Sequence, residues 1–190
     1  MEFKITKTWN GLEIDHAPVV ISLQCEEGKG LRVNVQAPFF NSPPAPNSPA
    51  GQPCDRLWDY EVVEVFFAND KDEYLEVEFC PHGQHLVLFL EGIRNCIKDK
   101  LALDLITTKN SNATWDGTAY IPYSYFPHLV TKCNAFAIHG EGGNRTYEAL
   151  YPSNGLAEPD FHRLEFFKEI NFQSLVPPTE ASSIGKAWTQ

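Results

Sequence analysis

Three glutamates, Glu64, Glu76 and Glu78, lie within fifteen residues of one another in a stretch rich in Val, Phe, Leu and Tyr. Side chains alternate across an extended strand, so Glu64 falls opposite the Val63, Val65 and Phe67 face, and Glu76 and Glu78 fall opposite Leu75, Val77 and Phe79. If the two runs pair, three carboxylates share one side of a sheet, with Trp58 at the entry. An aromatic ring beside carboxylates can bind a small polar ligand, the ring against an apolar face and the oxygens on hydroxyls. Two of the carboxyls could also act as the acid and base of a glycosidase, which depends on a separation the sequence does not give. The alternative is structural: Trp58 in the core, and the glutamates on a solvated sheet face.

Two other polar clusters have chemistry to weigh. Cys80-Pro81-His82-Gly83-Gln84-His85 offers a thiol and two imidazoles, but zinc wants four ligands. A fourth would have to come through the fold from Cys96, His139 or His162, so a turn between strands is the expected role. Asn69-Asp70-Lys71-Asp72-Glu73 clusters oxygens without the spacing or the glycine of a calcium loop, and is expected to be a hairpin turn. No metal and no cofactor is expected. The chain has no GxSxG, HExxH or phosphate-binding glycine loop, and Gly140-Glu141-Gly142-Gly143-Asn144 starts no helix.

The elements that must position these groups read as strands. Leu57 to Leu90 predicts a three-stranded antiparallel meander broken at Asn69-Asp72 and Pro81-Gly83. Before it, Phe3–Trp9, Val19–Gln24 and Leu31–Ala37 read as strands, the last two joined by a glycine-containing hairpin loop. After it, Ile93–Leu105 has helix-compatible spacing, though loop and strand fit it equally. Strands are expected at Ala113–Ile121, Asn134–Glu141, Arg145–Ala149 and Phe161–Phe167, with a helical turn over Tyr123–Leu129. The proline-dense segment 41–53 is expected to be an exposed loop, and 176–190 a disordered polar tail, leaving residues 1–175 as one domain. About ten short strands with little helix predict an all-β antiparallel sandwich.

Composition narrows the partners. The 190-residue chain carries a formal net charge of −10 with no cationic run, which speaks against nucleic acid and against an anionic membrane surface. Its first thirty residues hold no uninterrupted apolar segment, so no signal peptide is expected. Five cysteines, without a CxxC pair, are expected to be free thiols in a reducing compartment, cytoplasmic or nuclear.

The segments LWDYEVVEVFF, YLEVEFCPHG, ATWDGTAYIPYSYFP, NAFAIHGEGGNRTYEALYPS and FHRLEFF occur in the order seen in family 9 carbohydrate-binding modules and the related DOMON domains. The resemblance spans roughly Trp9 to Phe167, and the whole chain most resembles uncharacterised protein family 0462. It implies a jelly-roll-like β-sandwich with a ligand site on one face or end, where aromatic rings stack on sugars and charged and amide side chains bind hydroxyls. By position in the shared motifs, the resemblance implies a ligand set of Arg56, Trp58, Glu61, Glu64, Glu76, Glu78, His139, Asn144 and Arg145. In the structural alternative, Arg56 and Arg145 simply pair with the glutamates. Some DOMON domains hold haem through Met and His, a pair this chain lacks beyond Met1. The expected function is a non-catalytic domain binding a carbohydrate or other small polar ligand. The alternatives are a protein-interaction module, with the proline loop or a sheet face docking a partner, and a glycoside-processing enzyme.

Overall fold

The computed structural model describes residues 1–189, in which thirteen strands form two antiparallel sheets packed face to face. The strands are β1 (Glu2–Ile5), β2 (Lys7–Thr8), β3 (Val19–Glu26), β4 (Gly30–Pro38), β5 (Val62–Ala68), β6 (Glu73–Phe79), β7 (His85–Glu91), β8 (Cys96–Lys98), β9 (Asp104–Lys109), β10 (Thr114–Ile121), β11 (Lys132–His139), β12 (Thr146–Ala149) and β13 (Lys168–Glu169). One sheet runs β1-β3-β4-β10-β9. The other runs β2-β12-β11-β5-β6-β7-β8, with β13 also pairing β11. The chain is an all-β sandwich, and no helix among the described residues is long and apolar enough to cross a membrane.

Period-two alternation builds the core between the sheets. Val63, Val65 and Phe67 of β5, Leu75, Val77 and Phe79 of β6, and Ala135 and Ala137 of β11 meet Ile21, Val33, Val35, Trp115 and Ile121 of the opposing sheet. The larger sheet is also covered on its outer face. Phe66, Tyr74, Leu86, Phe136 and Ile138 point outward and form a second cluster with Leu57, Leu164 and Phe167. A sheet covered on both sides hides its polar side chains too, so the glutamates are not on a solvated face.

Several expectations change. The first strand is divided into β1 and β2. Ile93–Leu105 is no helix; it holds β8 and the start of β9, linked by loop. Phe161–Phe167 contains no strand. Leu164–Phe166 is a 3-10 turn, whose three-residue period puts Leu164 and Phe167 together against the outer face. The tail is ordered over 176–189: Ile184 is buried, and Trp188 stacks on Phe89 (4.8 Å between centroids) and donates its indole N–H to the Tyr125 carbonyl (2.9 Å). A few apolar residues anchor a segment whose average composition is polar. Gln190 lies outside the described residues. Segment 41–53 is irregular and mostly exposed, as its prolines require, yet it is tied down where Ser48 accepts from the Gln84 amide (2.7 Å) and Gly51 N–H donates to Gly83 (2.9 Å).

Candidate functional site

A cleft of about 680 Å³ opens on the outer face of the larger sheet. Its floor is β5, β6 and β7, contributing Glu64, Glu76, Leu86, Leu88 and Leu90. Its walls come from the turn Leu57–Asp59, the turn carrying Arg94, the start of β12, and the segment through Phe161 and His162.

The register places the carboxyls. Glu64 pairs directly with Glu78 across β5 and β6, and Glu76 lies two residues from Glu78 on the same face. One oxygen from each comes within 4.8 Å of the others. Glu64, Glu76 and Glu78 are 2%, 3% and 0% exposed, and Glu64 Oε1, Glu76 Oε2 and both Glu78 oxygens have no hydrogen-bond partner. Burial raises all three. Glu64 is pushed up to about 8 against the opposing pull of Arg145. Glu76 is raised by burial with the Glu64 charge adding to it, and Glu78 by burial with Glu64 and Glu76 adding to it. At neutral pH the group therefore holds protons, presenting acid O–H donors beside acceptor oxygens.

Cations and rings surround this floor. The Arg145 guanidinium donates to the carbonyls of Asp59 (2.9 Å), Gly140 (3.1 Å) and Trp58, tying the Leu57–Asp59 turn to β12. Gly140 is needed for the connection from β11 to β12 that presents Arg145: its φ is +78°, and a Cβ there would lie 2.1 Å from the Asn144 carbonyl oxygen. Leu57 is fully buried and anchors the turn, leaving Trp58 at the rim with 40% of its surface exposed. Opposite, Tyr74 Oη accepts the Arg94 backbone N–H (3.0 Å), so its hydroxyl donates to His162 Nδ1 (2.8 Å). Burial lowers His162 to about 4, with the Arg94 charge adding to it. The imidazole is then neutral with its proton on Nε2, a donor. Phe161 stacks flat on Phe136 at 3.9 Å and meets Tyr147 edge-on.

Of the nine expected ligand residues, Trp58, Glu64, Glu76 and Arg145 line the cleft, and Glu78 joins the carboxyl group beneath it. The others fall elsewhere. Arg56 is exposed and pairs with Asp59 (2.8 Å). Asn144 sits in an exposed 3-10 turn. Glu61 is buried and accepts the backbone N–H groups of Phe40 (3.1 Å) and Ser42 (3.2 Å), holding the segment after β4; burial still raises it. His139 joins His16 and Glu148 at one end of the sandwich, where each ring's Nε2 meets Glu148 Oε1, at 2.9 and 2.8 Å. Arg94 and Tyr147 carry no sequence signal for the cleft. Phe161 and His162 form the Phe-His of the shared motif, hidden by the strand reading of that segment.

Two groups among the described residues could hold a metal ion, Glu64-Glu76-Glu78 and His16-His139-Glu148. Cys80, His82 and His85 do not converge. His85 is buried beside the Leu101 backbone, and His82 meets Lys109 Nζ at 2.8 Å. Asn69 closes its hairpin by accepting the N–H groups of Lys71 (2.9 Å) and Glu73 (3.1 Å), as an Asx turn does.

No family model matches the chain. UPF0462 protein C4orf33 of Homo sapiens is 49% identical over 196 residues, covering all of this chain and 94% of that protein. The chain belongs to the UPF0462 family. Homologues in Rattus norvegicus (50% identical) and Danio rerio (47%) are likewise covered to 94% by this UPF0462 chain. Among solved structures, a putative carbohydrate-binding protein from Bacteroides uniformis superimposes with a TM-score of 0.65 at 15% identity, over 89% of this chain and 84% of that one. At that identity the match speaks for the UPF0462 fold alone.

Proposed function

We propose that this UPF0462 chain is a non-catalytic binding domain for a carbohydrate or similarly hydroxyl-rich small ligand, held in the outer-face cleft. The observation that carries the reading is the set of partnerless, buried carboxyl oxygens beneath an exposed tryptophan. A buried polar atom without a partner costs about 1–3 kcal/mol, which a ligand hydroxyl can recover. Carboxyls that keep protons at neutral pH offer both donors and acceptors, as hydroxyls do. His162 adds an N–H donor, and Trp58 an open ring for a C–H face. The carbohydrate-binding description of the Bacteroides uniformis neighbour is consistent with this chemistry.

The same geometry argues against glycoside hydrolysis. Glycosidase carboxyls stand about 5–9.5 Å apart, across the bond they cleave. Here the three project side by side from one face of a single sheet at the floor of the cleft, rather than from opposite sides of it. Isothermal titration with neutral, acidic and amino sugars tests the reading. One sugar class is expected to bind at millimolar or lower concentration. Trp58→Ala should weaken it about tenfold, the value of one stacking contact, without changing the melting temperature. Saccharides that fail to bind, or an affinity indifferent to Trp58→Ala, would sink the proposal.

A further inference from the structure

At the end of the sandwich remote from β8, Glu148 of β12 lies opposite Ala137 of β11, so Glu148 and His139 project from neighbouring strands on the inner face. His16 reaches them from the loop between β2 and β3. The Glu148 side chain is wholly buried, its Oε1 meets both ring Nε2 atoms, and its Oε2 has no partner. His16 Nδ1 lies 2.9 Å from the Ala17 carbonyl, which can only accept, so Nδ1 carries a proton. Nε2 of His16 and Nε2 of His139 stand 2.8 and 2.9 Å from the same Glu148 oxygen, so three ligand-type atoms converge within 4.8 Å of one another.

We infer that His16, His139 and Glu148 form a site for a divalent transition-metal ion of the zinc class. Two imidazoles and a carboxylate are a zinc-type ligand set that leaves a position for water. Imidazole nitrogen favours zinc, cobalt, nickel or copper over calcium and magnesium. In a tetrahedral site the ligand atoms stand about 3.3 Å apart, so the two contacts need to open by only about half an ångström. The outer partner that orients a metal-bound histidine is in place on His16, the Ala17 carbonyl, and the Phe40 ring stacked flat on His139 at 3.7 Å fixes the plane of the second imidazole. The two histidines remain 16% and 14% exposed, which gives an ion access. Bound metal would fasten the loop carrying His16 to β11 and β12. The site is separate from the cleft and independent of its ligand.

The test titrates Co2+ into untagged, chelator-stripped protein, follows the visible ligand-field bands, and displaces the ion with Zn2+. One Co2+ per chain is expected, with the intensified bands of a four- or five-coordinate site. The affinity should fall more than about tenfold in His139→Gln and in His16→Gln, and stay unchanged in Glu64→Gln. Because His139 is packed under Phe40, circular dichroism checks that its variant folds; His16→Gln, on a loop, decides the matter if it does not. A spectrum that stays that of the hydrated ion, or binding that survives His16→Gln, overturns the assignment. So does binding lost in Glu64→Gln, which would place the ion in the cleft.

Discussion

Replacing Glu64 with Gln should make the ligand-free protein more stable at pH 8 and nearly leave it alone at pH 5. In the unfolded chain this carboxyl ionises near 4.5, whereas in the folded protein burial holds its proton until about 8. Between those values the native state binds more protons than the unfolded state, so stability falls as pH rises. A rise from 4.5 to about 8, at about 1.4 kcal/mol per pH unit, caps the loss at about 5 kcal/mol. That is a third or more of an ordinary domain's stability of about 5–15 kcal/mol. Glutamine has the shape of the protonated acid and no charge to lose, so it should abolish this slope. Urea unfolding followed by tryptophan fluorescence at pH 5, 6, 7 and 8 measures it. Groups outside the cluster bend both curves alike, so the difference between wild type and variant reports Glu64 together with the charge it adds to Glu76 and Glu78. A difference that stays constant from pH 5 to pH 8, or a variant that grows relatively weaker with pH, would refute the buried, protonated Glu64.

Two other outcomes can be measured on the same material. Trp188→Ala should cost about 2 kcal/mol in urea unfolding, through loss of the stack on Phe89 and the indole hydrogen bond; no change would return the tail to disorder. His162, lowered to about 4 by burial and Arg94, should show ring proton shifts in NMR that stay flat from pH 8 to 5. Titration near 6.5 would instead mean an open, hydrated imidazole and no fixed Nε2–H donor in the cleft.

Alternation made the strands and the shared face of Glu64, Glu76 and Glu78 legible, because period two depends only on neighbours in sequence. It could not tell that the face is buried. That depends on Leu57, Leu164 and Phe167, which reach it through 3-10 turns about a hundred residues apart in the chain. The His16-Glu148 contact spans 132 residues and leaves no local pattern, so His139 alone was in view, attached to the wrong group.

The buried face now bears on function in a way the solvated one did not. Three acids among leucines and phenylalanines oppose the local rule that a doubly covered sheet is apolar on both faces, and the cost worked out for Glu64 alone is several kcal/mol. The two nearby arginines are engaged elsewhere: Arg145 spends its donors on backbone carbonyls, and Arg94 pairs with Asp160. A purely structural role would be met as well by glutamine or leucine. Acids left without partners at the bottom of an open cleft are better explained by something that enters it and supplies the missing hydrogen bonds.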